Sequence, residues 1–573
     1  MKCLFVYLKD YKKECILAPL FKMLEATFEL LIPLIVARLI DEGIGGEDNG
    51  VIIRCFILMV SLALVGLIAS LTAQYFAARA AVCFSANVRH AMFEHLLKLD
   101  FAGIDEVGTD VMITRMTSDV NQLQNGVNMV LRLLLRSPFV VFGAMIMAFT
   151  IDLRSALIFL LIIILLFAVI FFLMKINIKQ SGMVQERLEK VLGRTRENLS
   201  GVRVLRAFCR EKNESHVFEE ENKELTDRLK VAGNLSAIMN PLTYVLMNLA
   251  ILLLLYVDGI QVSRGNLSSG QVVALYNYMS QILVELLKLA NLIVLVNKFI
   301  ASAGRVEAVL KTSPHKTEGK EDTGLKDYED YIRFDHVSLN YTGSGENSLN
   351  DIDFAVNKGE TVGIIGGTGS GKSSLVQMLA GFYDAREGSV RIEGRDVRDY
   401  TYEALSKKVG IVMQKAVLFK GSIRENMSWA NKDASDEEYI AALKAAQAYE
   451  VALEKGGLDA SVETMGRNFS GGQRQRLSIA RTLLGRPDIL ILDDSSSALD
   501  YLTDLNLRKA IRNLDYKPTV FIVSQRSASI MSADKIIVLE DGRIVGLGKH
   551  DELLKNCEVY REIYESQYGK EQA

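Results

Sequence analysis

Thr361-Val-Gly-Ile-Ile365, Gly366-Gly-Thr-Gly-Ser-Gly-Lys-Ser373, Ser374-Leu-Val-Gln-Met-Leu-Ala380: here an apolar run passes through a glycine-rich loop into a stretch with helical spacing. The pattern GxxxxGK[ST] between a strand and a helix is that of a phosphate-binding P-loop. Gly366, Gly367, Gly369 and Gly371, with Thr368 and Ser370 among them, let backbone N–H groups wrap phosphate oxygens, and the helix N-terminus adds partial positive charge. Lys372 is then expected on the β- and γ-phosphates, the Ser373 hydroxyl on Mg2+, and Ser374 beside them on ATP. Further on, Ile489-Leu-Ile-Leu-Asp493 is an apolar strand ending in an acid, so Asp493 is expected to hold the same Mg2+ through water.

Before the P-loop the chain changes character. Up to about Thr312 long apolar runs dominate; beyond it charged residues, glycines and short alternating runs read as a soluble α/β domain. Ala156–Met174 is uninterrupted and apolar, about the length that crosses a bilayer as a helix. Leu17–Ile40, Val51–Phe76, Val127–Thr150, Ile238–Val257 and Val272–Ile300 bring the expected spans to six. The loop Asp41–Gly50 holds no Lys or Arg, whereas Arg79–Gly126 and Lys175–Lys230 hold many. The long segments and both termini are therefore expected in the cytosol, with the second to fifth helices running on beyond the membrane.

Basic residues precede the first apolar run, as in a signal peptide. That run, from Ile16, is too long, carries charge and lacks a small-residue cleavage site, so it is read as a membrane helix. Six scattered cysteines without CxxC spacing suit reduced thiols. A net charge of −3 without a basic stripe argues against nucleic-acid binding.

Ionisable groups inside spans need partners or water. Glu25 and Glu29 share a face of the first helix, and Arg132 and Arg136 share one at the cytosolic side of the third. Lys22 can pair with Glu25, and the arginines can reach headgroups; the sharper expectation is that Glu29 lines a polar cavity and meets a cationic substrate.

Phe469-Ser-Gly-Gly-Gln473, followed by Arg474-Gln-Arg476, resembles the signature motif of ABC transporters. Gln414 resembles the Q-loop, Ser497-Ala-Leu-Asp500 the D-loop, and Tyr341 the aromatic that stacks on adenine. In order and spacing, and with six spans ahead of the ATPase, nearly the whole chain is similar to ABC half-exporters of the multidrug-resistance type. The resemblance implies two ATPase domains head to tail. Each ATP would lie between one P-loop and the signature of the other subunit, so Ser470, Gly471, Gly472, Gln473 and Asp500 would act in trans. It places Gln414 on the nucleotide and on Mg2+. Met1–Lys13 resembles the elbow helix, and the segments near Asp105–Thr109 and Glu197–Phe208 resemble coupling helices.

Two positions depart from the family. Asp494 stands where a Glu usually serves as general base, and Gln525 where a switch histidine usually meets the γ-phosphate. Asp is shorter by one C–C bond, about 1.5 Å, and a misplacement of about 1 Å can cost on the order of a hundredfold in rate. Gln can donate to phosphate but carries neither a proton nor a charge for it. The signature, with Phe469 for the commoner Leu, is otherwise intact. The pattern resembles the degenerate-site half of a heterodimeric exporter.

The expected architecture is a membrane α-helical domain with six transmembrane helices at 1–312, a linker at 313–329 and an α/β P-loop ATPase domain with a helical subdomain at 330–573. The expected activity is ATP-driven export of lipophilic or amphipathic compounds across a bacterial membrane by this chain and a second half-transporter, its own P-loop site hydrolysing poorly. A slow homodimer, and an ATP-gated channel or regulatory membrane subunit, are the alternatives.

Overall fold

The computed structural model describes residues 3–313, 319–341 and 347–568. Contacts divide the chain into two units: Met1–His95 with Asp110–Lys311, and Leu96–Thr109 with Thr312–Ala573. The second unit thus takes a short piece, Leu96–Thr109, out of the stretch read as membrane domain. Of the linker, residues 314–318 lie outside the described residues. Its remaining part is tied to the second unit: Glu321 bridges Tyr400, and the Leu325 N–H donates to the Glu393 carbonyl at 2.9 Å.

The first unit is helical. Its helices are α1 (Lys12–Arg38) and α2 (Asn49–Lys98), then, past α3 (Phe101–Val107) in the other unit, α4 (Thr109–Thr114), α5 (Val120–Leu133) and α6 (Arg136–Ile151). α7 (Leu153–Ser200), α8 (Val202–Ala207), α9 (Glu211–Ser263) and α10 (Ser269–Lys311) complete it. Four of the six apolar runs lie within single helices; Leu17–Ile40 passes from α1 into a π-helical stretch, Leu39–Ile44, and Val127–Thr150 is divided between α5 and α6. Four stretches, Asn49–Lys98, Thr109–Ile151, Pro241–Ser263 and Ser269–Lys311, are long and apolar enough to cross a membrane, and Leu153–Val169 is a shorter apolar one. α1 carries Lys22, Glu25 and Glu29 and is more polar than these. At roughly 1.5 Å per residue, the 50-residue α2 and the 53-residue α9 far exceed a hydrocarbon core of about 30 Å. Small residues let the helices close up: Ala26 and Ala37 of α1, Ala144 and Ala148 of α6, and Ala274 of α10 are buried in one core. The segment read as an elbow is a 3-10 stretch, Leu4–Tyr11, running into α1; Met1 and Lys2 lie outside the described residues.

The second unit pairs two sheets. β1 (Ile332–Leu339), β2 (Leu349–Val356), β4 (Glu387–Ile392) and β5 (Arg395–Asp396) form an antiparallel sheet in the order β2-β1-β4-β5, with β3 (Thr361–Gly366) passing to the other sheet. β6 (Val409–Val412) joins that second sheet, while β7 (Gly421–Ser422) and β8 (Ser461–Val462) pair only with each other. With β9 (Ile489–Asp493), β10 (Thr519–Val523), β11 (Lys535–Glu540) and β12 (Arg543–Gly548), the order is β12-β11-β3-β10-β9-β6, parallel except for β12. β3, β9 and β10 are almost wholly buried, which explains why they read as unbroken apolar runs rather than alternating ones.

Register decides what these strands deliver. Val523 pairs with both Ile364 and Asp493, so the P-loop, Asp493 and the segment after β10 emerge side by side at the C-terminal edge, where open α/β sheets bind ligands. α11 (Lys372–Leu379) leaves the P-loop and α12 (Tyr402–Lys408) precedes β6. The helical subdomain, between β6 and β9 as expected, comprises α13 (Ile423–Ser428), α14 (Asp436–Ala445), α15 (Tyr449–Lys455) and α16 (Gly471–Leu484). α17 (Tyr501–Arg512), α18 (Ser527–Ile530), α19 (His550–Asn556) and α20 (Glu558–Tyr568) close the unit. Within it, Phe101 of α3 stacks on Phe382 with centroids 4.1 Å apart, and Tyr383 donates to Asp105 at 2.6 Å.

Candidate nucleotide site

A cleft of about 800 Å³ opens at the P-loop, lined by Tyr341, Gly369, Gly371, Lys372, Ser373 and Ser374 from the sequence reading. Asn347, Ser348, Asp541 and Gly542 line it as well; these four were not anticipated. Asp541 and Gly542 both have positive φ, 43° and 74°, the form of a two-residue hairpin turn between β11 and β12. The Asp-Gly pair signals that turn in the sequence, but not that it reaches the cleft.

Backbone geometry explains the glycines at two points. Gly371 has φ 93°, and a Cβ there would lie 2.6 Å from the Leu349 side chain. At Gly366 a Cβ would lie 2.1 Å from the carbonyl oxygen of Leu539 on the paired strand. The Lys372 ammonium donates to the carbonyls of Gly366 at 3.0 Å and Gly367 at 2.5 Å, within the loop. Burial holds its pKa below that of an ordinary lysine, against the opposing pull of Asp494 and Asp493.

Ser373 donates to Asp493 Oδ1 at 2.9 Å, bringing the two expected Mg2+ contacts together. Hydroxyl and carboxylate are the hard oxygen donors that Mg2+ takes, with one or two carboxylates supplemented by phosphate oxygens. Among the described residues no group of three or more His, Cys, Asp or Glu forms a metal cluster, so the donor set fits an ion shared with phosphate rather than a protein cage. Burial raises the Asp493 pKa, with Asp494 adding to it and Ser373 and Lys372 opposing.

Asp494 sits in the left-handed region at φ 46°. Its N–H donates to the Val523 carbonyl at 3.0 Å, and Oδ2 accepts from Gln414 Nε2 at 3.1 Å. Gln414 is thereby brought onto the carboxylate expected at the general-base position. Tyr341 donates to Ser374 at 2.8 Å, and its ring meets Tyr383 edge-on at 4.9 Å. Ser470 caps α16: its hydroxyl accepts from the Gln473 N–H, and the Gln473 side chain accepts from the Ser470 N–H at 2.9 Å. Gly472 approaches the D-loop so closely that a Cβ would lie 2.8 Å from the Ala498 carbonyl oxygen. Asp500 caps α17 through the Thr503 N–H at 3.0 Å. Gln525 lies just past β10, with its carbonyl held by Gln567.

In the first unit the charged residues converge. Arg136, only 6% exposed, donates to Glu29 at 2.6 Å and pairs with Glu285, which also accepts from Ser137 at 2.8 Å and Lys288 at 2.7 Å. Lys22 pairs with Glu25 at 2.5 Å. Arg136 thus does not reach outward to headgroups; burial between two acids decides its place. The Glu29 side chain remains 45% exposed. Glu285 was missed by sequence reasoning, although an acid inside an apolar run was the signal for it.

The family model for the ABC transporter transmembrane region matches residues 15–286, and a second family model, described as ABC transporter, matches residues 349–497. An uncharacterized ABC transporter ATP-binding protein of Bacillus subtilis, YfiB, is 33% identical over 566 residues, covering 99% of this chain and 98% of that one. A putative multidrug export ATP-binding/permease protein of the same organism is 31% identical over 583 residues, covering 99% and 98%. An ATP-dependent lipid A-core flippase of Desulfotalea psychrophila is 33% identical over 482 residues, covering 84% of each. A solved bacterial Atm1-family ABC exporter with ATP bound shares the fold, with a TM-score of 0.79 at 21% identity over 97% of this chain and 98% of that one.

The chain belongs to the ABC transporters. It is a half-transporter of the exporter type, a bacterial integral membrane protein whose cytosolic ATPase unit couples ATP hydrolysis to transport.

Proposed function

We propose that this chain is the ATP-holding half of a heterodimeric exporter. Its P-loop, Tyr341, Lys372, Ser373 and Asp493 bind ATP with Mg2+, while Asp494 and Gln525 support hydrolysis poorly. Ser470–Gln473 and Asp500 complete the competent site of a different half-transporter in trans. The observation that carries this reading is the short carboxylate of Asp494, engaged by Gln414 at 3.1 Å, together with an uncharged amide at Gln525. A base drawn back by about one C–C bond loses much of its hold on an attacking water.

ATP turnover of the full-length chain alone, and then with the half-transporter encoded beside it, tests this reading. Activity is expected only in the mixture, little altered by Asp494→Glu and abolished by replacing the partner's general-base glutamate. Turnover of several per second by the chain alone overturns the reading and favours a homodimer.

Lipophilic or amphipathic compounds are the proposed cargo, supported by relatives whose names concern multidrug export and lipid A-core flipping. Glu29, half exposed beside Arg136, is the proposed contact for a cationic substrate. Its replacement by Gln should weaken transport of cationic compounds and spare neutral ones; equal transport of both classes removes this role.

A further inference from the structure

Gln567 lies in the last turn of α20, whose buried Tyr560 and Tyr564 seat the helix on the ATPase unit. Its side-chain amide makes three hydrogen bonds to the segment after β10. Nε2 donates to the Gln525 carbonyl at 2.7 Å. Oε1 accepts from both the N–H and the hydroxyl of Ser527, each at 2.8 Å. Ser527 is fully buried, so these groups need the amide: an unmet donor there carries the full desolvation penalty.

The other end of the segment is pinned as well. The Ser524 N–H donates to the Ile364 carbonyl at 3.1 Å, and the Ser524 hydroxyl accepts from the Arg526 N–H at 2.9 Å. Gln525 therefore stands on a four-residue bridge fixed by β3 on one side and by α20 on the other. An amide that bonds a carbonyl and an N–H two residues apart imitates a strand partner. It fixes the peptide planes on either side of Arg526, and with them the direction in which the Gln525 side chain leaves the backbone.

We propose that Gln567 is a positioning residue for the switch position: the C-terminal helix sets where the Gln525 amide meets the terminal phosphate. This rests on the reading of Gln525 as the residue that faces the γ-phosphate. The consequence is selective. Contacts to the adenine and the inner phosphates lie elsewhere, so loss of Gln567 should impair recognition of ATP and spare that of ADP.

The test uses the full-length transporter with its partner in nanodiscs, photolabelled with an azido-ATP analogue and competed with ATP or ADP. Labelling is read on this chain's own band. Gln525→Ala should narrow the preference for ATP over ADP by about tenfold, the worth of one good hydrogen bond to a charged group. Gln567→Ala should narrow it comparably with ADP competition unchanged, and should add little in the Gln525→Ala background. Gln567→Glu should fall between, since a carboxylate still accepts from Ser527 but offers the Gln525 carbonyl no donor. If Gln525→Ala narrows the preference and Gln567→Ala does not, the inference fails; it fails too if Gln567→Ala weakens ADP as much as ATP, which marks a merely structural dock. An inert Gln525→Ala overturns the underlying reading of Gln525, and this inference with it.

Discussion

Asp493 carries two demands of opposite sign. As an acid at the end of a buried strand it is costly to ionise, and its pKa is raised by burial; as a metal contact it must be ionised. Proton counts set the sign of the linkage. Between the ordinary Asp pKa and the raised folded value, the folded state binds more protons than the unfolded one, so stability falls as pH rises through that window and stays reduced above it. Asp493→Asn should therefore raise the melting temperature of the nucleotide-free protein at neutral pH, and the gain should shrink on acidification. A rise of a few degrees at most is expected, because about 1 kcal/mol moves Tm by only about 2–4 °C in a domain of this size. Differential scanning fluorimetry across pH checks it, and lower stability at neutral pH counts against the assignment. At this scale much of the site was legible. Lys372, Ser373 and Asp493 sit in short motifs whose spacing carries its own chemistry, whereas Gln414 was reached only through the family resemblance. Asn347, Ser348 and Asp541 reach the same cleft only through the sheet, and no local pattern announces that.

Among the helices, Arg136 ties α6 to α1 through Glu29 and to α10 through Glu285. The partners are 107 and 149 residues apart in sequence, which is why helix periodicity marked Glu29 and Arg136 without pairing them across the fold and left Glu285 unmarked. Removing one member of a buried pair strands the other, at about 3–5 kcal/mol. Arg136→Ala should thus lower the midpoint of thermal unfolding in detergent markedly. Replacing Arg136 by Met and Glu285 by Leu together should recover most of that loss, because well-packed apolar substitutes often equal a buried ion pair. Failure of the double variant to exceed Arg136→Ala would assign the loss to packing of the guanidinium stem instead. Helix existence was legible from apolar length, whereas the membership of Leu96–Thr109 in the second unit was not, since it depends on contacts such as Phe101 on Phe382.

Across the ATPase unit a short series of contacts leads from the phosphate loop to α3: Ser374 to Tyr341, Tyr341 against Tyr383, and Tyr383 to Asp105. Tyr383→Phe keeps the ring and deletes only the hydrogen bond to Asp105. Nucleotide affinity should be unchanged, while stimulation of ATP turnover by a transported compound should fall about three- to tenfold, the range of a typical single hydrogen bond. Fluorescent-nucleotide titration beside a stimulated ATPase assay separates the two, and a parallel fall in affinity would place the effect at the nucleotide instead. α3 comes directly after α2, fifty residues without a proline. A helix of that length is a stiff beam roughly 75 Å long. Tilting it by one degree sweeps its far end through a little over 1 Å, about the error in alignment that costs a reacting centre on the order of a hundredfold. A lever of this length turns small angles at one end into ångströms at the other.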